Sequence, residues 1–155
     1  MNPQSFDPQK IGRYTVIRVH YEYPGQPAEN KLFVVLRHDV QYGQAFCWCI
    51  KATSQVQRFT EEMLNGCIRY SASEVPFFDK DTIIDTSNIL TLLHETIKKE
   101  AGLGRYRIEG KLPDDFHEKF IATVRASTNL EPKKKLKLLE AVGESLIPKA
   151  PPILR

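Results

Sequence analysis

The sequence lacks any long apolar run. No stretch approaches the roughly 20 consecutive apolar residues that a membrane-crossing helix requires, and the opening MNPQSFDPQK lacks the charged-then-apolar layout of a secretory signal. Cysteine is scarce, three in 155 residues, and an odd count in apolar company suits reduced thiols better than a disulfide framework. These absences lead to the expectation of a cytoplasmic protein with no membrane segment. A strong excess of one charge is also missing. The net charge of +3 permits an anionic partner such as RNA without demanding one, because nucleic-acid binding takes clustered charge. There is no glycine-rich phosphate loop either. GLGRYRIEG is a helix stop running into a strand, the reverse of the strand-to-helix order such a loop needs. No internal repeat occurs, and 41% hydrophobic with 26% charged residues is the composition of an ordinary globular chain of one domain.

What is present is a change of period along the chain. YTVIRVHYEY (Tyr14 to Tyr23) is aromatic and β-branched, with Ile17, Val19, Tyr21 and Tyr23 on one side of a strand and Arg18, His20 and Glu22 on the other. PGQPAEN is a loop, KLFVVLRH (Lys31 to His38) a well-buried strand, and AFCWCIKAT a third strand. RFTEEML suggests one helical turn, GCIRYS another strand, and Thr82-Ile83-Ile84 the core of a further one. Ile89, Leu93 and Ile97 recur every four residues and predict an amphipathic helix running to the stop at Gly102-Leu103-Gly104. RYRIEG reads as a short strand. Pro113 opens a helix with Asp114 and Asp115 in its first turn and Phe116, Phe120 and Val124 as its apolar face. A last helix follows Pro132, with Leu139, Val142 and Leu146 inward, and the tail IPKAPPILR is expected to be extended. Strands first and helices later predict an α+β domain around a small, strongly bent antiparallel sheet: strands over about 12–88, helices over about 89–147, a loose tail over 148–155.

CWCIKATSQ raises the sharpest chemical question. Cys47 and Cys49 are two apart and share one face of a strand, whereas structural zinc sites take C-x2-4-C pairs that converge on one ion. No second Cys pair completes such a site, and Cys67 could join His20 or His38 only through a coincidence of folding, so buried free thiols and no metal or other cofactor are expected. His20, His38, His94 and His117 show no metal-binding spacing. His20 and His38 stand out because they lie on adjacent strands, where an imidazole can carry protons near neutral pH. Lys133, Lys134, Lys135 and Lys137 read as the solvated face of the last helix, with phosphate contact as the lesser alternative. More telling are two strand ends. ENKLFVVL begins with Glu29, Asn30 and Lys31, and CWCIKATSQ finishes with Lys51, Thr53, Ser54 and Gln55. As antiparallel neighbours these ends would meet at one sheet edge. Cleavage of RNA by its own 2′-hydroxyl needs such groups: a cation for the phosphorane's charge, donors to its oxygens, and an acid or base. A bare Thr-Ser-Gln turn is the plain alternative.

The order of a Tyr/Val-rich strand, a Gly/Pro loop, a basic residue entering KLFVVL, and an apolar strand ending in IKATSQ resembles the MazF/PemK toxin endoribonucleases. The likeness extends through TIIDTSNILTLLHETI and GRYRIEGKLPDDFHEKFIATV, covering about Tyr14 to Arg125. The resemblance implies an SH3-like barrel with appended helices, a homodimer, metal-independent cleavage of single-stranded RNA, and neutralisation by an antitoxin protein. It places catalytic roles on Lys31 and Thr53, and substrate contacts on Gln26, Glu29, Ser54 and Gln55, with His20 and His38 as further proton-transfer candidates. The family's Arg-Pro is Lys31-Leu32 here; lysine keeps the charge and loses the planar fork that grips phosphate bidentately. That departure frames the alternative, a barrel without chemistry that binds nucleic acid or protein, with Tyr21 and Tyr23 as exposed aromatic contacts. A working surface on the late helices is a third, minor reading.

Overall fold

A computed structural model describes residues 4–23 and 25–145; Leu146 and the predicted loose tail 148–155 lie outside the described residues. The elements are β1 (Thr15–Tyr21), β2 (Glu29–Gln41), β3 (Gln44–Thr53), α1 (Glu61–Leu64), β4 (Cys67–Tyr70), β5 (Thr82–Leu93), α2 (His94–Gly102), β6 (Tyr106–Lys111), α3 (Phe116–Ala126) and α4 (Pro132–Ala141), with short 3-10 turns at Pro8–Lys10 and Val56–Arg58. The six strands form one antiparallel sheet in the order β4-β5-β3-β2-β1-β6. The α+β class is as expected. The sheet is open, with β4 and β6 as its edges. Among the described residues no helix is long and apolar enough to cross a membrane.

β2 and β3 form the longest ladder, closed by the two-residue turn Tyr42-Gly43. Both residues have positive φ, 52° and 76°, the hand that matches the twist of the flanking strands. The ladder slips once: Val35 pairs with Cys49, but Arg37 pairs with Trp48, so Leu36 is an extra residue on β2. Beyond it the side-chain alternation reverses. Val35 belongs to one core, Leu36 to the core on the other face, and His38 then pairs with Cys47 on Val35's side.

The predicted helix from Ile89 is corrected. β5 continues to Leu93, and α2 begins only at His94. Its register against β3 jumps from Lys51↔Asp85 to Cys49↔Leu90, so residues 86–89 bulge out of the ladder and the period of two is lost there. An irregular apolar strand running straight into a helix mimics a helical repeat of four. The short strand read from RYRIEG is β6, which pairs with β1 at the sheet edge.

Two cores lie on the two faces. One joins Val16, Val34, Ile50 and Ile84 to Phe116, Phe120 and Val124 of α3, to Leu138 and Leu139 of α4, and to Val142 just after it. The apolar spacing of α3 is buried as predicted, although its first helical residue is Phe116, with Asp115 at the cap. The other core joins Ile17, Val19, Phe33, Val35, Cys47 and Cys49 to Ile97 and Ala101 of α2 and to Ile11. Cys47 and Cys49 are thus buried free thiols on one face. Of the α4 lysines, Lys133, Lys134 and Lys137 are exposed, and Lys137 places its ammonium 4.4 Å above the Trp48 ring.

Candidate functional site

Leu32 pairs with Ala52, so Lys31 and Thr53 come next in the register at the same edge. The loop before β2, the segment after β3 and the stretch 77–82 frame a cleft of about 530 Å³ there. Its walls carry five cations, Arg18, Lys31, Lys51, Arg58 and Lys80, against three carboxylates, Glu29, Asp79 and Asp85, with Phe59 and Phe77 among them. Of the residues singled out from sequence, Lys31, Thr53, Gln26, Glu29, Ser54 and Gln55 all line it. His20 stands just behind the wall, its Nδ1 3.3 Å from Oδ1 of Asn30, which does line the cleft. His38 is not brought in. It sits near the turn end of the ladder, bonded to His94 and to the Ile11 carbonyl.

Lys31 is largely covered and forms an ion pair with Glu29. Its Nζ is 5.4 Å, and that of Lys51 5.0 Å, from the centre of the Tyr23 ring, so one aromatic ring steadies two ammonium groups. The hydrogen bond and charge of Lys31, with Arg58 and Lys51 adding to them, hold the Glu29 carboxyl below its ordinary range. Arg18 is engaged elsewhere, its Nε 2.6 Å from Glu109. Among the described residues Lys51, Arg58 and Lys80 form no ion pair, which leaves their charge for a ligand. At Thr53 the hydroxyl accepts from the Gln55 N–H at 3.1 Å in a local turn, and its own O–H is left to donate to a ligand.

Tyr21 and Tyr23 are half-buried, packed on each other and on Phe33 at ring distances of 4.9, 5.5 and 6.5 Å, which corrects their expected exposure. Burial pushes the Tyr23 hydroxyl well above the ordinary tyrosine range, and it has no hydrogen-bond partner among the described residues. His117 is occupied by the Tyr14 hydroxyl and by Glu144, its Nε2 3.1 Å from the carboxylate.

Sequence reasoning missed Arg18, Arg58, Lys80 and Phe77. Arg18 alternates with Ile17 and Val19 on β1, a signal for the opposite face but not for the cleft. Arg58 follows Gln55 through a 3-10 turn, and Lys80 and Phe77 arrive on an irregular stretch; only the folded chain brings them in. Among known protein families no model matches this chain, and no curated protein matches it either.

Proposed function

We propose that the cleft binds single-stranded RNA and that the protein is a MazF/PemK-like endoribonuclease, cutting without a metal ion and built on a bent, SH3-like sheet. The observation that carries this reading is the meeting of Lys31, Thr53, Ser54, Gln55, Gln26 and Glu29 in one cleft whose cations outnumber its carboxylates. In the reaction a ribose 2′-hydroxyl attacks its own 3′-phosphate. A 2′,3′-cyclic phosphate forms, the P–O5′ bond breaks, and the departing oxygen takes a proton. Lys31 and Lys51 balance the phosphorane's charge, and Thr53 donates to a non-bridging oxygen. Glu29, ionised beside Lys31, and His20, one hydrogen bond behind Asn30, are the groups placed to move protons. Gln26, Ser54 and Gln55 hold the strand, and Phe59 and Phe77 offer faces for bases to stack on. As the resemblance implies, the working form is a homodimer, and an acidic antitoxin segment competes for the same cations.

The test is long single-stranded RNA incubated with purified protein in EDTA. Cleavage to products ending in a cyclic phosphate is expected, greatly reduced in Lys31→Ala and Thr53→Ala. RNA left intact by micromolar wild-type protein would remove the catalytic claim. A second reading, binding without cleavage, is favoured by two observations: the Lys31 ammonium is already tied to Glu29, and no imidazole lines the cleft. Steeply salt-dependent binding of uncut RNA selects that reading.

A further inference from the structure

At the far end of the β2–β3 ladder three side chains that can ligate a metal converge. His38 is on β2, Cys47 is its partner on β3, and His94 begins α2. One donor atom from each lies within 4.8 Å of the other two. His38 Nδ1 is 2.9 Å from His94 Nε2 and 3.3 Å from Cys47 Sγ. We propose that His38, Cys47 and His94 form a zinc-binding site that ties β2, β3 and the start of α2 together.

Zinc takes nitrogen at about 2.0–2.1 Å and thiolate sulfur at about 2.3 Å, which in a tetrahedron separates donors by roughly 3.3–3.6 Å. The two His38 spacings need only small adjustment, and Cys47 and His94 lie within 4.8 Å of each other. Hydrogen bonding alone accounts poorly for the cluster. His38 Nε2 is 2.6 Å from the Ile11 carbonyl, which can only accept, so in the neutral ring the proton is on Nε2 and Nδ1 offers its lone pair. Both His94 Nε2 and the Cys47 thiol approach that single lone pair, which accepts one good bond. A cation instead uses all three donors at once. The Ile11 contact is also the kind of outer hydrogen bond that orients a metal-ligating imidazole.

The surroundings fit a transition ion. Two imidazoles and a thiolate suit zinc and offer none of the oxygen ligands that calcium or magnesium take. Cys47 is fully buried in the apolar core, and Phe6 packs edge-on against His94 at 5.1 Å. His94 also lines a depression of about 260 Å³ with Gly43, Gln44, Ala45, Leu93 and Glu95, which gives solvent a path to the ring and room for water as a fourth ligand. On binding, the Cys47 thiol loses its proton to solvent, His38 ligates through Nδ1 and His94 through Nε2. The site does not depend on the RNA reading, and it lies at the opposite end of the ladder.

The experiment uses the untagged full chain, stripped with a chelator and titrated with Zn2+ against a chromophoric competitor, then with Co2+ as a spectroscopic probe. The expected result is one Zn2+ per chain, and a Co2+ complex with a thiolate-to-metal charge-transfer band and the strong visible bands of tetrahedral cobalt. His94→Gln, at a half-exposed position that tolerates a polar replacement, should weaken zinc binding by more than the 10–100-fold that outer-shell changes cost. Zinc should raise the thermal midpoint of the wild type and not of His94→Gln. The charge-transfer band should vanish in Cys47→Ser and persist in Cys67→Ser. Equal zinc affinity of wild type and His94→Gln, or a cobalt complex without thiolate character, overturns the proposal. The His94→Gln arm decides it even if Cys47→Ser fails to fold.

Discussion

The two ends of the β2–β3 ladder carry opposite chemistry on one strand pair. At the open end Lys31, Lys51 and Thr53 line a cleft in which Lys51, Arg58 and Lys80 form no ion pair among the described residues. At the turn end His38 and Cys47 sit under Phe6, Ile11 and α2, with no charged side chain among the three donors. The pairing is the same; the cover differs. An edge open to a cleft leaves cations such as Lys51 outside any ion pair among the described residues, whereas a covered one tolerates only neutral or mutually satisfied polar atoms. What is laid across a sheet end, more than the strand sequence, decides whether it can hold an anion or a soft cation.

The change expected to matter most strikes the support that both ends share. Phe33 is fully buried two positions from Lys31, packs on Tyr21 and Tyr23, and shares its core with Val35 and Cys47. Phe33→Ala should cost about 3–5 kcal/mol in urea unfolding and weaken both RNA and zinc binding. If one end kept its full affinity, the ladder would not be their common frame. Next come changes confined to the cleft. Thr53→Ala and Lys31→Ala should each lower RNA cleavage by about 100- to 1,000-fold, the cost of losing one donor to a developing oxyanion, with the urea midpoint nearly unmoved. A comparable loss of stability would mean the residues serve folding instead. Lys51→Ala should act more gently. It is expected to weaken RNA binding across sequences and to reduce the slope of log affinity against log salt by about 0.7, one phosphate contact on a single strand. An unchanged slope places the phosphate elsewhere.

The smallest effects compare two tyrosines with buried hydroxyls, Tyr23 packed on Tyr21 and Phe33, and Tyr106 packed on Phe6. The hydroxyls of Tyr23 and Tyr106 have no partner among the described residues. Tyr23→Phe and Tyr106→Phe should each raise stability by roughly 1 kcal/mol, and RNA binding should hold in both because the Tyr23 ring remains between its lysines. Burial pushes Tyr106 up to about 12. The native state therefore keeps a proton that the unfolded chain releases near pH ~10. Stability from this group is whole below pH ~10 and declines as pH climbs from there to about 12. Denaturant midpoints across that window should fall for the wild type and fall less for Tyr106→Phe.

The legible parts of the fold were those with an unbroken period. β1 and the apolar face of α3 could be read directly, because Ile17 and Val19, or Phe116, Phe120 and Val124, keep their spacing into the core. The second half of β5 could not, since the bulge at 86–89 destroys alternation where Ile89 and Leu93 imitate a helix. The cleft was legible where it is made of strand ends, because antiparallel pairing puts Lys31 and Thr53 together whatever the loops do. Arg58 and Lys80 reach it from irregular chain, and no local pattern announces that. The His38, Cys47 and His94 cluster was the least legible: its histidines are 56 residues apart, and no spacing rule spans such a gap.

Leu36 has a further consequence. In a strict alternation Lys31 and His38, an odd number of positions apart, would point to opposite sides of the sheet. The extra residue acts as a phase shifter that turns His38 back onto the side of Phe33 and Cys47. Deleting Leu36 would make that separation even and the ladder regular, so His38 would still face Cys47, and only the Leu36 side chain would be lost from the core under α3 and α4. The bulge, which accommodates an odd spacing, is thus what keeps the Lys31 and His38 ends of this hairpin on a single side.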